Sequence, residues 1–236
     1  MMKITIQRDE KVEEFAFALK GATLLEVLNS IKEKEDKTLS FTSGCRSGVC
    51  GSCSVRVNSV EVLACSYKVS DGDFIEPLRN MPILRDLVVD MHRAYAMNAN
   101  AKAWITQKEN AEFLDTEDAK RNALQSECIL CSSCYSACPV YSVNAEFLGP
   151  FALTRVWKYV SDKREGDVES KITHIQSNGV WDCTLCNGCT IVCPQEISSK
   201  ADIEKLRAKS AQQGFMDPSF GNFGSFGGGF DGSPIF

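Results

Sequence analysis

Cys183-Thr-Leu-Cys186-Asn-Gly-Cys189-Thr-Ile-Val-Cys193-Pro194 is the stretch on which the reading of this chain turns. Its spacing repeats that of Cys128-Ile-Leu-Cys131-Ser-Ser-Cys134-Tyr-Ser-Ala-Cys138-Pro139, so the second half uses one cysteine-rich run twice. Three thiolates at two-residue gaps can cap three corners of an iron–sulfur cube. In runs of this kind the fourth cysteine, just before proline, lies too far along the chain and ligates the other cluster. Two runs therefore predict two clusters.

A different cysteine pattern precedes them. Ser43-Gly-Cys45-Arg-Ser-Gly-Val-Cys50-Gly-Ser-Cys53 is followed by Leu63-Ala-Cys65. A gap of four, a gap of two and a distant partner match the plant-type 2Fe-2S pattern, in which four thiolates hold two irons. Glycines within the loop allow backbone N–H groups to approach the sulfurs, where hydrogen bonds tune the potential.

The chain holds twelve cysteines, and Met-Met-Lys-Ile-Thr-Ile at its start offers no apolar signal core. That combination points to metal ligation in a reducing compartment rather than to disulfides. Zinc is the competing reading, but its sites pair CxxC units or join CxxC to histidines. Here three cysteines crowd into seven residues twice, and the histidines are His92 and His174 alone, neither beside a ligand set. No nucleophile–base pair or paired-carboxylate motif stands near the cysteines, so no catalytic residue is assigned.

Composition narrows the class further. Residues numbering 236, of which 44% are apolar, suit two small domains. Lys plus Arg number 26 against 31 Asp plus Glu, a net charge of -5 with no dense basic block, which argues against nucleic acid. No apolar stretch approaches the ~20 residues a spanning helix needs. A soluble chain with no direct membrane span is expected.

Along the chain, Lys3-Ile-Thr-Ile-Gln7 and Val12-Glu-Glu-Phe-Ala-Phe17 alternate and read as a hairpin. Thr23 is placed to cap a helix whose apolar face is Leu24, Leu25, Val27, Leu28 and Ile31. Residues 54–58 and 60–63 form a second hairpin across Asn58-Ser59, and Asp73-Phe-Ile-Glu-Pro-Leu78 reads as an edge strand. Ile83, Leu84, Leu87, Val88, Met91 and Tyr95 recur at helical spacing, which predicts a helix over about 83–97 leaving the first domain. Beyond it, Asp115-Thr-Glu-Asp118 suits a helix start, Pro150 opens a helix carrying Phe151, Leu153, Val156, Trp157 and Val160, and Ser199 begins one running to about Lys209. The expected fold class is α+β: a β-grasp plant-type 2Fe-2S ferredoxin domain over 1–96, then an all-α bacterial-type two-cluster ferredoxin domain over 97–212. Residues 213–236, rich in Gly and Phe, are expected to be a disordered or partner-docking tail.

Taken together, the Cys45–Cys53 loop, Leu63-Ala-Cys65, Ile75-Glu-Pro-Leu78, Asn80-Met-Pro82, Arg85-Asp-Leu-Val-Val-Asp-Met91 and the two cube runs resemble the iron–sulfur subunit of succinate dehydrogenase and fumarate reductase. The resemblance covers nearly everything before the tail. It implies that Cys45, Cys50, Cys53 and Cys65 hold a 2Fe-2S cluster and that Cys128, Cys131, Cys134 and Cys193 hold a 4Fe-4S cluster. It implies a third cluster on Cys138, Cys183 and Cys189. In most of the family the position of Cys186 is not cysteine and that cluster is 3Fe-4S; here Cys186 would complete a second 4Fe-4S cluster. The family's quinone-pocket tryptophan and histidine are replaced by Val143 and Thr184. These departures resemble members whose membrane partner is a cysteine-rich, heterodisulfide-reductase-like subunit.

The resemblance thus implies an electron-transfer subunit between the FAD of a flavoprotein partner and a quinone- or thiol-linked membrane-associated partner. It implies a peripheral place on the inner membrane, with the cytoplasmic face favoured, although co-export with a signalled partner would put it on the periplasmic side. The alternative is a ferredoxin-like or heterodisulfide-reductase-type adaptor, which would have no reason to carry the stretch from Ile75 to Met91.

Overall fold

Alternation along the first two strands builds one face of the first core. The computed structural model describes residues 1–221 apart from 10, 19, 111 and 112. Strand β1 (Met2–Arg8) pairs antiparallel with β2 (Lys11–Phe17), with Ile4 opposite Phe15, so Ile4, Ile6, Phe15 and Phe17 all point inward. Helix α1 (Leu24–Lys34) lays Leu24, Leu25, Val27, Leu28 and Ile31 on that face. It starts at a capping box in which the Thr23 hydroxyl accepts the Glu26 amide and the Glu26 carboxylate accepts the Thr23 amide.

Strands β3 (Ser54–Val57) and β4 (Val60–Leu63) form the second hairpin. Its two-residue turn has Asn58 at φ 49° and Ser59 at φ 70°, the mirror-image turn that matches strand twist. Strand β5 (Asp73–Glu76) then enters the middle of a five-stranded sheet ordered β2-β1-β5-β3-β4. This corrects the edge placement expected from Pro77. The ladder pairs Asp73, Phe74 and Ile75 with β1, and Ile75 and Glu76 with β3. Pro77 follows the last paired residue, so its missing N–H costs no ladder bond.

A second correction falls on the helix expected over 83–97. The structure has a small hairpin there, β6 (Ile83–Arg85) and β7 (Val88–Val89), and only then helix α2 (His92–Asn100). The cause is tertiary. Asp86 is buried at φ 48°, its carboxylate accepting from the Arg8 guanidinium at 3.1 Å and the Ser40 amide at 2.7 Å, while its own amide donates to Asp9 Oδ1. Leu87 is buried in the first core beside it. A left-handed residue held this way interrupts any helix through it, and the helical period takes effect only past Asp90.

The chain then passes to a second core. Ala94 and Met97 of α2 join it; of the helices that follow, α3 (Thr116–Lys120) packs against α4 (Ala123–Ser126) and α4 against the longer α7 (Pro150–Val160), while α5 (Ser133–Ser136), α6 (Pro139–Val143) and α7 supply core residues. Asp115 caps α3 and Pro150 opens α7, as their chemistry dictates. Helices α8 (Val168–His174) and α10 (Ser199–Gln212) pack on α7, which buries Phe151, Ala152, Leu153 and Val156, and between them in the chain α9 (Gly188–Ile191) packs against α5 and α10. Gly149 is sterically required ahead of α7. Its φ is 85°, and a Cβ there would stand 2.2 Å from the Tyr135 ring.

After α10, Phe215 packs partly buried on the second core, and α11 (Pro218–Gly221) is a single turn. The Gly/Phe-rich remainder, 222–236, lies outside the described residues. Among the described residues, no helix is long and apolar enough to cross a membrane.

Candidate metal centres

The loop after α1 gathers sulfur atoms and backbone donors at one place. The Ser47 and Val49 amides each donate to Cys45 Sγ at 3.4 Å, and the Cys45 amide donates to Cys50 Sγ at 3.3 Å. The Ser47 amide, then the Val49 amide, hold the Cys45 thiol down to about 6. Cys53 is buried, and desolvation pushes its thiol up to about 11, with Cys65 and Cys50 as its immediate neighbours. The four cysteines singled out in this region are thus brought together, three on one loop and Cys65 just after β4.

The two cube runs fold alike. Leu130 and Ser132 have φ of 54° and 63°, and the matching Leu185 and Asn187 have 55° and 70°. Each run then enters a one-turn helix, α5 or α9, and these two helices touch. Two left-handed residues per run coil the chain so that its first three sulfurs face one side. One cavity is lined by Cys128, Cys131, Cys134 and Cys193, with Phe151, Pro194 and Ile197 closing it. A second is lined by Cys138, Cys183, Cys186 and Cys189, with Phe147, Pro150 and Lys200. The fourth cysteine of each run has crossed to the other run's cavity, and Cys186 stands with the remaining three of its set.

The donor sets fit iron–sulfur clusters. Each cavity presents four sulfurs and no histidine, the soft ligand field expected for Fe–S or zinc. Backbone amides reach the sulfurs here too: Leu185 N to Cys183 Sγ at 3.4 Å and Tyr141 N to Cys138 Sγ at 3.5 Å. Burial pushes the Cys134 thiol well up and the Cys189 thiol to about 12, so only a bound cation would hold these sulfurs as thiolates at neutral pH. Among the described residues, no three His, Cys, Asp or Glu side chains converge as they would around a single ion. The four sulfurs of each set line one shared cavity instead. His92 and His174 are exposed and lie away from both cavities, and His174 meets the Asn100 carbonyl.

Three contacts between the domains set these sites against one another, and none was visible in the cysteine spacing. Gly51, at φ 72°, lies so near Cys131 that an added Cβ would stand 2.7 Å from its Cβ and 2.9 Å from its Cα. The cysteine loop of the first domain therefore abuts the first cube run directly. Arg56, buried in β3, binds Glu61 at 3.1 Å and Glu76 at 2.9 Å, and Glu61 accepts the Ser136 hydroxyl of α5 at 2.7 Å. A charged residue between Val55 and Val57, with Glu61 as its cross-strand partner, was the available signal for that network.

Asn80 makes the third contact. Its amide donates to the carbonyls of Tyr135, Ser136 and Cys138 at 2.9, 3.0 and 3.1 Å, fastening the turn between Cys134 and Cys138. Asn80→Ala removes these bonds and is expected to cost about 2–3 kcal/mol of stability in chemical denaturation of the holo-protein. Asn80→Gly, which tolerates the φ of 63°, should restore the backbone but leave iron loss on mild warming faster than in wild type.

Sheet, helices and sulfur-lined cavities together define an iron–sulfur protein of two linked domains. The model of a 2Fe-2S iron-sulfur cluster binding domain matches residues 2–96, and that of a 4Fe-4S dicluster domain matches residues 124–197. The chain is 35% identical to the fumarate reductase iron-sulfur subunit of Mycobacterium tuberculosis, over 80% of this chain and 81% of that one. It is 36% identical to the 8-methylmenaquinol:fumarate reductase iron-sulfur subunit of Wolinella succinogenes, over 83% of this chain. It spans 66% of the Wolinella protein's length, just under two thirds. A chain of the Mycobacterium smegmatis Sdh1 complex in the apo form shares the fold, with a TM-score of 0.82 and 22% identity over 90% of this chain and 96% of that one. The chain belongs to the family of iron–sulfur subunits of succinate dehydrogenase and fumarate reductase.

Proposed function

We propose that this chain is the electron-transfer subunit of a succinate dehydrogenase or fumarate reductase complex. It relays single electrons between the FAD of a flavoprotein partner and a quinone- or thiol-linked membrane-associated partner. The observation that carries the reading is the arrangement of three cysteine quartets in series, with Gly51 against Cys131 and the two cube runs touching through α5 and α9. Iron–sulfur clusters, when bound, supply one-electron chemistry, and any dicarboxylate chemistry belongs to the flavin of the partner.

In this reading Cys45, Cys50, Cys53 and Cys65 hold a 2Fe-2S cluster. Cys128, Cys131, Cys134 and Cys193 hold one 4Fe-4S cluster, and Cys138, Cys183, Cys186 and Cys189 a second. The first domain, about 1–96, is a β-grasp ferredoxin unit, and the second, about 97–212, a bacterial-type two-cluster unit. Side chains pass from one core to the other between Leu87 and Ala94, which supports a division near there. The protein's own residues bury Cys53, Cys131, Cys134, Cys138 and Cys189, aim backbone amides at the sulfurs and bring the cysteine loops into contact.

The membrane-associated partner is proposed to be cysteine-rich and heterodisulfide-reductase-like, with the complex peripheral on the cytoplasmic face. Val143 is 85% exposed and offers no hydrogen-bond donor, and Thr184 borders the second cavity where the family's quinone pocket has a histidine. The likeness to the Wolinella 8-methylmenaquinol-linked subunit supports the same choice.

Two measurements test the function. Anaerobically purified protein should be brown and hold about ten irons per chain, the sum of two, four and four. Colourless protein rich in zinc would sink the cluster assignment. Pulling the chain from its native host should bring with it a flavoprotein and a membrane-associated protein; a lone chain, or one bound to some other oxidoreductase, would sink the subunit assignment.

A further inference from the structure

Ser132 is the one residue of the first cube run that satisfies neither backbone preference nor its own polarity. It sits between Cys131 and Cys134 at φ 63°, in the left-handed region that favours glycine or asparagine. The matching residue of the second run is Asn187, which meets that preference. Ser132 is fully buried, precedes α5 without capping it, and its hydroxyl has no hydrogen-bond partner among the described residues. It also lines the cavity shared by Cys128, Cys131, Cys134 and Cys193. A buried hydroxyl left without a partner is costly, so its persistence in a strained conformation indicates a partner supplied by whatever fills the cavity. Thr154 lines the same cavity and its buried hydroxyl likewise has no hydrogen-bond partner among the described residues, though the Asp202 carboxylate is close to it.

We propose that Ser132 is a positioning residue whose hydroxyl donates a hydrogen bond into this cavity, to a sulfur of the cluster held there, and raises that cluster's reduction potential. The inference rests on the ligand set proposed above. A donor aimed at sulfur stabilises the extra negative charge of the reduced state, and such bonds are among the levers that set iron–sulfur potentials. The serine keeps its proton throughout; only the electron count of the bound group changes, by one.

The test is a redox titration of the full holo-chain followed by electron paramagnetic resonance, for wild type, Ser132→Ala and Ser132→Gly. Glycine relieves the left-handed backbone, whereas alanine retains its strain, and a purely structural role would leave the potential of the glycine variant unmoved. Both variants should show the reduction equilibrium of one cube shifted three- to tenfold toward the oxidised form, tenfold being about 59 mV for one electron. The 2Fe-2S centre and the other cube should titrate unchanged. A cube with the same potential in wild type and in both variants overturns the inference alone. Wild-type protein with no cube at this site overturns the ligand set and the inference with it.

Discussion

Replacing Cys186 with valine is expected to convert one four-iron centre into a three-iron centre. Iron content should fall from about ten to about nine per chain, and the air-oxidised variant should show a three-iron paramagnetic signal absent from carefully prepared wild type. The argument starts from register. Cys186 is the counterpart of Cys131, and the two runs share their left-handed positions, so its sulfur is delivered to the cavity by the same coil of backbone. It lines that cavity with Cys138, Cys183 and Cys189, and each of those three thiols has Cys186 close enough to act on it electrostatically. Valine fills similar space but cannot ligate, so the iron at that corner has no protein ligand. Loss of one thiolate also removes negative charge, and the centre should become easier to reduce. A three-iron signal at full occupancy in wild type, or an unchanged iron count in the variant, would make Cys186 a spare exposed thiol.

Gly51→Ala should be the most damaging single-methyl addition in the first domain. Its Cβ would meet the Cα and Cβ of Cys131 and the Ile129 carbonyl oxygen, all within 2.9 Å, and none of these is the end of a flexible side chain. Overpacking of about 1–3 kcal/mol adds to a left-handed strain of about 1–2 kcal/mol. A total loss of about 2–5 kcal/mol is therefore expected in denaturant unfolding of the holo-protein. Gly21→Ala is the control: it has a similar φ of 69° but nothing within 4 Å, so it should show the strain alone. The two variants should also separate kinetically. Gly51→Ala pushes the loop of the first domain away from the first cube run, and electron passage into the second domain should slow, whereas Gly21→Ala should leave it unchanged. Equal effects of the two substitutions on stability and rate would show that the loop tolerates displacement.

Much of this protein was legible in the chain because the deciding features are local. Strand alternation in 3–7 and 12–17, the Thr23 cap, the Asn58-Ser59 turn and Pro150 at a helix start act through neighbours a few residues away, and each produced the expected element. The cysteine runs belong to the same category, since a two-residue gap largely determines how far apart three sulfurs can stand.

What spacing could not determine depended on partners dozens of residues distant. Pro77 made β5 read as an edge strand, yet the ladders on both sides end before it, and only the sheet order shows that. The helical period over 83–97 was genuine as a pattern, but capture of Asp86 by Arg8 and Ser40 outweighs it and turns the segment into a hairpin. The approach of Gly51 to Cys131, the Asn80 clamp and the unpartnered hydroxyl of Ser132 arise only when the two domains close and the core fills. Spacing determined which residues can form a ligand set. The distances between sets, and the hydrogen bonds left over around them, are settled by tertiary packing, because burial and close approach are properties of the whole chain rather than of any segment.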